Sequence, residues 1–108
     1  MQTLTLPAPI AAYFASEHDP EALAHCFAAD AVVKDDGHTY QGVDAIKAFM
    51  TEVSAKYEAT TVPFAVKDDT GFKIVSAKVS GNFPGSPANL HYRFGLERGL
   101  IDSLEITV

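Results

Sequence analysis

Hydrophobic and polar positions change period once along the chain, near residue 58, from a helical repeat to a strand-like alternation. In the first part, Ile10, Tyr13, Phe14 and Glu17 fall on one helical face, which predicts a helix over 7 to about 17. Asp19, Pro20 and Glu21 then restart the chain as an N-cap, a first-turn proline and an acid at the positive end of a helix dipole. The second helix runs through Leu23 and Phe27 to about Ala29. Residues 30–35 read as a short strand and Asp36-Gly37-His38 as a turn. Gly42-Val43-Asp44 leads into a third helix, with Ile46, Phe49, Met50, Val53 and Tyr57 as its apolar stripe.

Beyond residue 58, stretches 60–67, 72–81, 89–97 and 101–108 read as four strands separated by Asp/Gly- and Pro/Gly-rich turns. In the third of them Leu90, Tyr92, Phe94 and Leu96 alternate with the polar His91, Arg93 and Glu97. Leu104, Ile106 and Val108 form another one-sided set. Helices followed by strands predict an α+β domain, its helices packed on one face of an antiparallel sheet.

Composition narrows the function classes. At 108 residues the chain is one domain's worth. It carries 14 acids against 8 bases, a net charge of -6, with no basic run, which argues against a nucleic-acid partner. The single cysteine, Cys26, excludes an internal disulfide and a multi-cysteine metal site, and reads as a small buried hydrophobe. The N-terminal stretch, lacking Lys, Arg or a long apolar run, reads as neither a signal peptide nor a membrane span. The expectation is a soluble, cytoplasmic domain with no membrane partner. No Gly-rich phosphate loop or cysteine pair implies a cofactor. Asp35 and His38 alone do not make a metal site, because zinc takes three or four ligands.

Several stretches together resemble the SnoaL-like branch of the nuclear transport factor 2 superfamily. They are Phe27-Ala28-Ala29-Asp30-Ala31-Val32-Val33-Lys34-Asp35, Tyr40-Gln41-Gly42-Val43-Asp44-Ala45-Ile46, the 81–87 loop with Leu90-His91-Tyr92-Arg93-Phe94, and the final strand. The resemblance covers nearly the whole chain, carried by order and spacing rather than by one motif. It implies a cone: a curved antiparallel sheet wrapped around three N-terminal helices, with an apolar cavity. It also implies a homodimer through the outer sheet face, where His91 and Arg93 lie. The fold hosts isomerases, dehydratases, polyketide cyclases and binding or dimerising modules, so it does not decide function.

Matching to the ketosteroid isomerases of this superfamily puts Asp35 at the general-base position and Tyr13 near an oxyanion donor. Leu90 falls where those enzymes carry a protonated aspartate, so one donor is missing. Losing such a donor costs on the order of 2.7–4 kcal/mol of transition-state stabilisation. Asp35 at an apolar cavity mouth should hold its proton more tightly, with Asp36 adding like-charge repulsion. A turn Asp capping backbone amides is the alternative. His38 is either an auxiliary acid/base beside Asp35 or an exposed loop histidine. Phe14, Phe49, Met50, Val53, Leu90 and Tyr92 are core or pocket wall, and Asp30 reads as a backbone-capping junction residue. His18 and His25 read as surface or capping residues. The expected ligand is a small apolar molecule bearing a carbonyl. An isomerase or lyase stands against a non-catalytic binding or dimerisation module.

Overall fold

The computed structural model describes residues 5–108, so the first four residues of the N-terminal stretch lie outside the described residues. Helix α1 (Ala8–Ala15) buries Ile10 and Tyr13. It ends two residues earlier than the apolar spacing suggests, and Glu17 falls in the turn that follows. Helix α2 (Pro20–Ala24) is capped as expected: Asp19 accepts the Ala22 N–H at 3.2 Å, and Pro20 opens the first turn.

Strand β1 (Phe27–Asp35) begins three residues before the expected strand. Residues 27–29 are therefore strand, not the tail of a helix. The cause is tertiary: the Cys26 carbonyl accepts the Ile101 N–H at 2.8 Å, and Phe27 stands opposite Ile101. Asp30 is accordingly an exposed strand residue rather than a cap at a helix junction. Asp36 and Gly37, with φ of 52° and 77°, form a two-residue turn with both φ positive, which suits a tight hairpin. The chain returns as β2 (His38–Gln41), with Asp35 opposite His38.

Gly42 (φ 89°, ψ 149°) precedes α3 (Val43–Lys56), a conformation open essentially to glycine alone. Its N–H bonds the Ala31 carbonyl at 2.8 Å, tying the start of α3 to β1. Four strands follow: β3 (Ala59–Asp69), β4 (Phe72–Gly81), β5 (Ala88–Glu97) and β6 (Leu100–Thr107).

The six strands make one curved, unclosed sheet in the order β2-β1-β6-β5-β4-β3. All neighbours are antiparallel except β1 and β6, which run parallel. This one parallel seam departs from the wholly antiparallel expectation. It arises because β1 and β6, distant in sequence, need no hairpin between them. Irregularities at Phe27/Val32, Pro63/Ala65 and Gly95/Leu96 interrupt three ladders. Such bulges bend and twist strands, and they supply the curvature. Pro63 is accommodated because β3 is an edge strand. A Cβ on Gly95 would crowd the Ser103 and Asp102 side chains, which would have to shift.

The concave face closes over the helices. Ile10, Val33, Ile46, Val75, Phe94, Ile101 and Leu104 are fully buried between the layers. The core fills one end of the cone. Toward the N-terminal end of β5 and the C-terminal end of α3 it thins into a hollow.

Candidate functional site

The hollow has a volume of about 500 Å³. From α1 and the turn after it come Tyr13, Phe14, Glu17 and His18. From α3 and its end come Phe49, Met50, Val53, Ser54 and Tyr57. The sheet supplies Asp35, Thr61, Val79, Leu90, Tyr92 and Ile106, and the β4–β5 loop adds Phe83 and Pro84. Every residue read from the sequence as pocket wall therefore lines it: Phe14, Phe49, Met50, Val53, Leu90 and Tyr92. Tyr13 and Asp35 line the same hollow, and Phe49 and Met50 stand on its wall beside them.

Tyr13 is 7% exposed. Its ring is locked by edge-to-face contacts with Phe14, Phe27, Tyr92 and Phe94, at centroid distances of 5.1, 6.1, 6.1 and 5.4 Å. Its hydroxyl makes no side-chain hydrogen bond among the described residues, yet no sealed polar side-chain atom there lacks a partner. The hydroxyl therefore opens onto the hollow. Burial, then the neighbouring Tyr92, Asp35, Glu17 and Cys26, push its pKa well up. It stays a protonated donor throughout the physiological range.

Tyr92 is buried beside it and is pushed up to about 12. Burial is the main cause, Asp35 and Glu17 add to it, and a side-chain hydrogen bond with Thr61 opposes it. Asp35 is half-buried at the C-terminal end of β1. Burial first, and then Asp36, raise its carboxyl above the ordinary 3.8, while His38 pulls the other way. This is the direction expected of a carboxylate on an apolar wall.

His38 stands elsewhere. It is exposed on β2 and lines an outer depression together with Lys34, Asp36, Glu105 and Thr107. Asp35, Leu90 and Ile106 line both hollows and form the partition between them. His38 thus reaches Asp35 from the solvent side and does not enter the cavity. Tyr40 stacks on Phe49 at 4.1 Å and backs that wall. Cys26 is buried, its thiol pushed up by burial and directed at the Ala22 carbonyl. His25 is exposed on the surface, and His91 is exposed on the outer sheet face, bonded to Ser76 at 2.9 Å.

Two cavity residues escape the sequence reading. Glu17 accepts the Thr61 N–H of β3 through both carboxylate oxygens, at 3.0 and 2.9 Å. His18, assigned to the surface, lines the rim with Nε2 3.5 Å from Glu17 Oε1. A second inward carboxylate therefore exists besides Asp35, which the sequence reading did not expect. Its one sequence signal is that Glu17 lies four residues after Tyr13.

The pattern of the SnoaL-like domain family matches residues 10–101 of the chain. No curated protein matches it. Among solved structures, a candidate polyketide cyclase from Sinorhizobium meliloti is 38% identical, with a TM-score of 0.92. That alignment covers 99% of this chain and 100% of that one. A Catenulispora acidiphila protein with a ketosteroid isomerase-like fold, solved with trimethylamine, is 21% identical with a TM-score of 0.83, covering 96% of this chain and 87% of its own. The epoxide hydrolase/cyclase-like enzyme SalBIII of salinomycin pyran-ring formation is 20% identical with a TM-score of 0.77, covering 91% and 85%. The last two show the fold alone.

Proposed function

The chain belongs to the SnoaL-like domain family, and on that footing we propose that it is a small-molecule enzyme of isomerase, lyase or cyclase type. In this reading it moves a proton on an apolar substrate next to a carbonyl group. The observation that supports it is the pairing of a half-buried carboxylate, Asp35, with the unbonded Tyr13 hydroxyl on one apolar cavity. The substrate carbonyl oxygen accepts a hydrogen bond from Tyr13. The Asp35 carboxylate takes a proton from the adjacent carbon, and the electron pair moves onto the oxygen as an enolate. The proton then returns to another carbon, or a group leaves from the next carbon as the carbonyl re-forms.

A raised carboxylate is the stronger base near neutral pH, and general-base catalysis contributes typically about 10²–10⁴-fold. Leu90 provides no second donor, and the Tyr92 hydroxyl beside Tyr13 can share the oxyanion. His38 can exchange the proton on Asp35 with solvent from the outer depression.

Binding of 2-naphthol, a planar mimic of an enolate, tests this reading. Affinity for Asp35→Asn should exceed that of the wild type by about tenfold, or 1.4 kcal/mol, because the variant removes a negative charge beside the bound oxygen. Absence of binding to both forms overturns the geometry. Leu90 in the cavity wall favours the rival reading, a ligand-binding or dimerisation module without chemistry. That reading expects 2-naphthol to bind wild type and variant alike.

A further inference from the structure

The rings around the hollow fall into separate groups. Tyr13, Phe14, Phe27, Tyr92 and Phe94 pack on one another at its core side. Tyr57 and Phe83 meet edge to face at 6.3 Å, and neither meets a ring of the core group among the described residues. Tyr57 caps the C-terminal end of α3, and Phe83 stands in the β4–β5 loop. Both line the hollow, together with Val53 one turn before Tyr57 and Pro84 next to Phe83.

This outer pair is fixed in place by contacts within the chain. Asn82 donates its N–H to the Glu58 carbonyl at 3.2 Å, and its side-chain oxygen accepts the Glu58 N–H at 2.9 Å. The loop root is thereby tied to the residue that follows Tyr57. Gly81 permits the approach, because a Cβ there would run into the Glu58 carbonyl and the Ala59 backbone. At the far root, Ser86 Oγ accepts the Gly81 N–H at 2.8 Å, and the Ser86 N–H reaches the Phe83 carbonyl at 3.3 Å. Lys56 Nζ lies 5.3 Å from the centre of the Tyr57 ring and braces it. A contact surface already ordered costs a ligand little further ordering.

The hollow is also larger than its polar end requires. Its 500 Å³ falls in the range, roughly 300–1,000 Å³, that takes a whole drug-sized ligand. A molecule that reached only Tyr13 and Asp35 would leave the Tyr57–Phe83 end facing water. We infer that Tyr57 and Phe83 form a distal subsite, which holds the apolar, ring-bearing end of an elongated substrate whose carbonyl end lies at Tyr13 and Asp35. This deepens, and rests on, the reading of the hollow as the substrate site. The substrate class becomes an elongated molecule, polar at one end and carrying an apolar ring at the other. Phe83 determines specificity, and the Asn82–Glu58 link sets its position.

Three probes that share one phenol decide the matter at neutral pH: 2-naphthol, 6-phenyl-2-naphthol and 6-hydroxy-2-naphthoic acid. The second carries a ring at the end opposite the hydroxyl, and the third a carboxylate there. Calorimetry on the wild type should show the phenyl compound binding at least about tenfold more tightly than 2-naphthol, and the acid most weakly. In Phe83→Ala the phenyl advantage should fall below about threefold, while 2-naphthol changes less than about twofold and the circular dichroism spectrum is retained. A phenyl compound that binds no better than 2-naphthol overturns the inference, as does an advantage that survives Phe83→Ala. Should Phe83→Ala fail to fold, the wild-type ranking of the three probes decides alone. The two levels fail separately. If 2-naphthol responds to Asp35→Asn while the added ring gains nothing, the distal subsite falls and the proton-transfer reading stands. If 2-naphthol binds neither wild type nor Asp35→Asn, the underlying reading falls.

Discussion

Asp35 sets stability and activity against each other. Its folded carboxyl holds a proton more tightly than the ordinary 3.8 of an unfolded chain. Between 3.8 and that raised value the folded state carries more protons than the unfolded one, so stability falls as pH rises through the window. Above the window the penalty of the buried charge persists. A base must be ionised, so turnover should climb over the same window. Asp35→Asn should therefore melt a few degrees above the wild type at neutral pH, with the gap closing below 3.8. Melting curves from pH 3 to 8 check this, and a variant that melts lower at pH 7 would contradict it. Asp35 and Tyr13 were legible in the sequence only through family resemblance, because no local pattern tells a cavity carboxylate from a turn carboxylate. Glu17 was not legible as a cavity residue, and His18 was legible as a surface residue but not as one at the cavity rim. Their place depends on α1 stopping at Ala15 and on an N–H supplied from 44 residues away. His38 was legible as a neighbour of Asp35 but not as lying on the other side of the partition that Asp35, Leu90 and Ile106 form.

At the scale of elements, local signals were reliable where hydrogen bonding is local. Strand β4 was anticipated residue for residue over 72–81, because Asp68-Asp69-Thr70-Gly71 and the 82–87 loop bound it with turn residues on both sides. The failure at 27–29 has the opposite cause. Helical spacing through Phe27 competes with pairing to Ile101, and the long-range ladder wins. The parallel seam between β1 and β6 was invisible for the same reason. Gly42 joins both kinds of evidence: the sequence marks it as a helix entry, and its φ of 89° with ψ of 149° explains why a side chain is excluded. Space is not the obstacle, since an added Cβ would meet only the Ala29 carbonyl at 3.9 Å. Gly42→Ala should therefore cost about 1–3 kcal/mol through backbone strain alone. For a domain of this size that lowers the melting temperature by roughly 4–8 °C per kcal/mol. Denaturant titration should show a lower midpoint at unchanged slope, and an unshifted midpoint would mean that this conformation carries no strain.

The whole molecule keeps a hollow of about 500 Å³ without swelling. Its radius of gyration, 13.0 Å, equals what an ordinary compact chain of its length adopts, about 13 Å. The space is therefore bounded by elements held rigidly elsewhere, chiefly by the closed end of the cone around Phe94, Ile101 and Leu104. That division of labour has a measurable consequence. Enlarging a side chain in a packed core forces strain of about 1–3 kcal/mol, but enlarging one that faces a void does not. Leu90→Trp adds volume to the partition, where the chain is only partly buried and borders the hollow. It should leave the melting temperature within a few degrees of the wild type while weakening 2-naphthol by at least about tenfold. Truncation at the other end behaves oppositely: Phe94→Ala removes a fully buried ring and should cost about 3–5 kcal/mol. Thermal melts paired with probe titrations separate the two. If Leu90→Trp destabilised the fold as Phe94→Ala does, the hollow would belong to the packing rather than to the chemistry. If it blocks the probe and spares the fold, the open end of the cone is held open for a ligand.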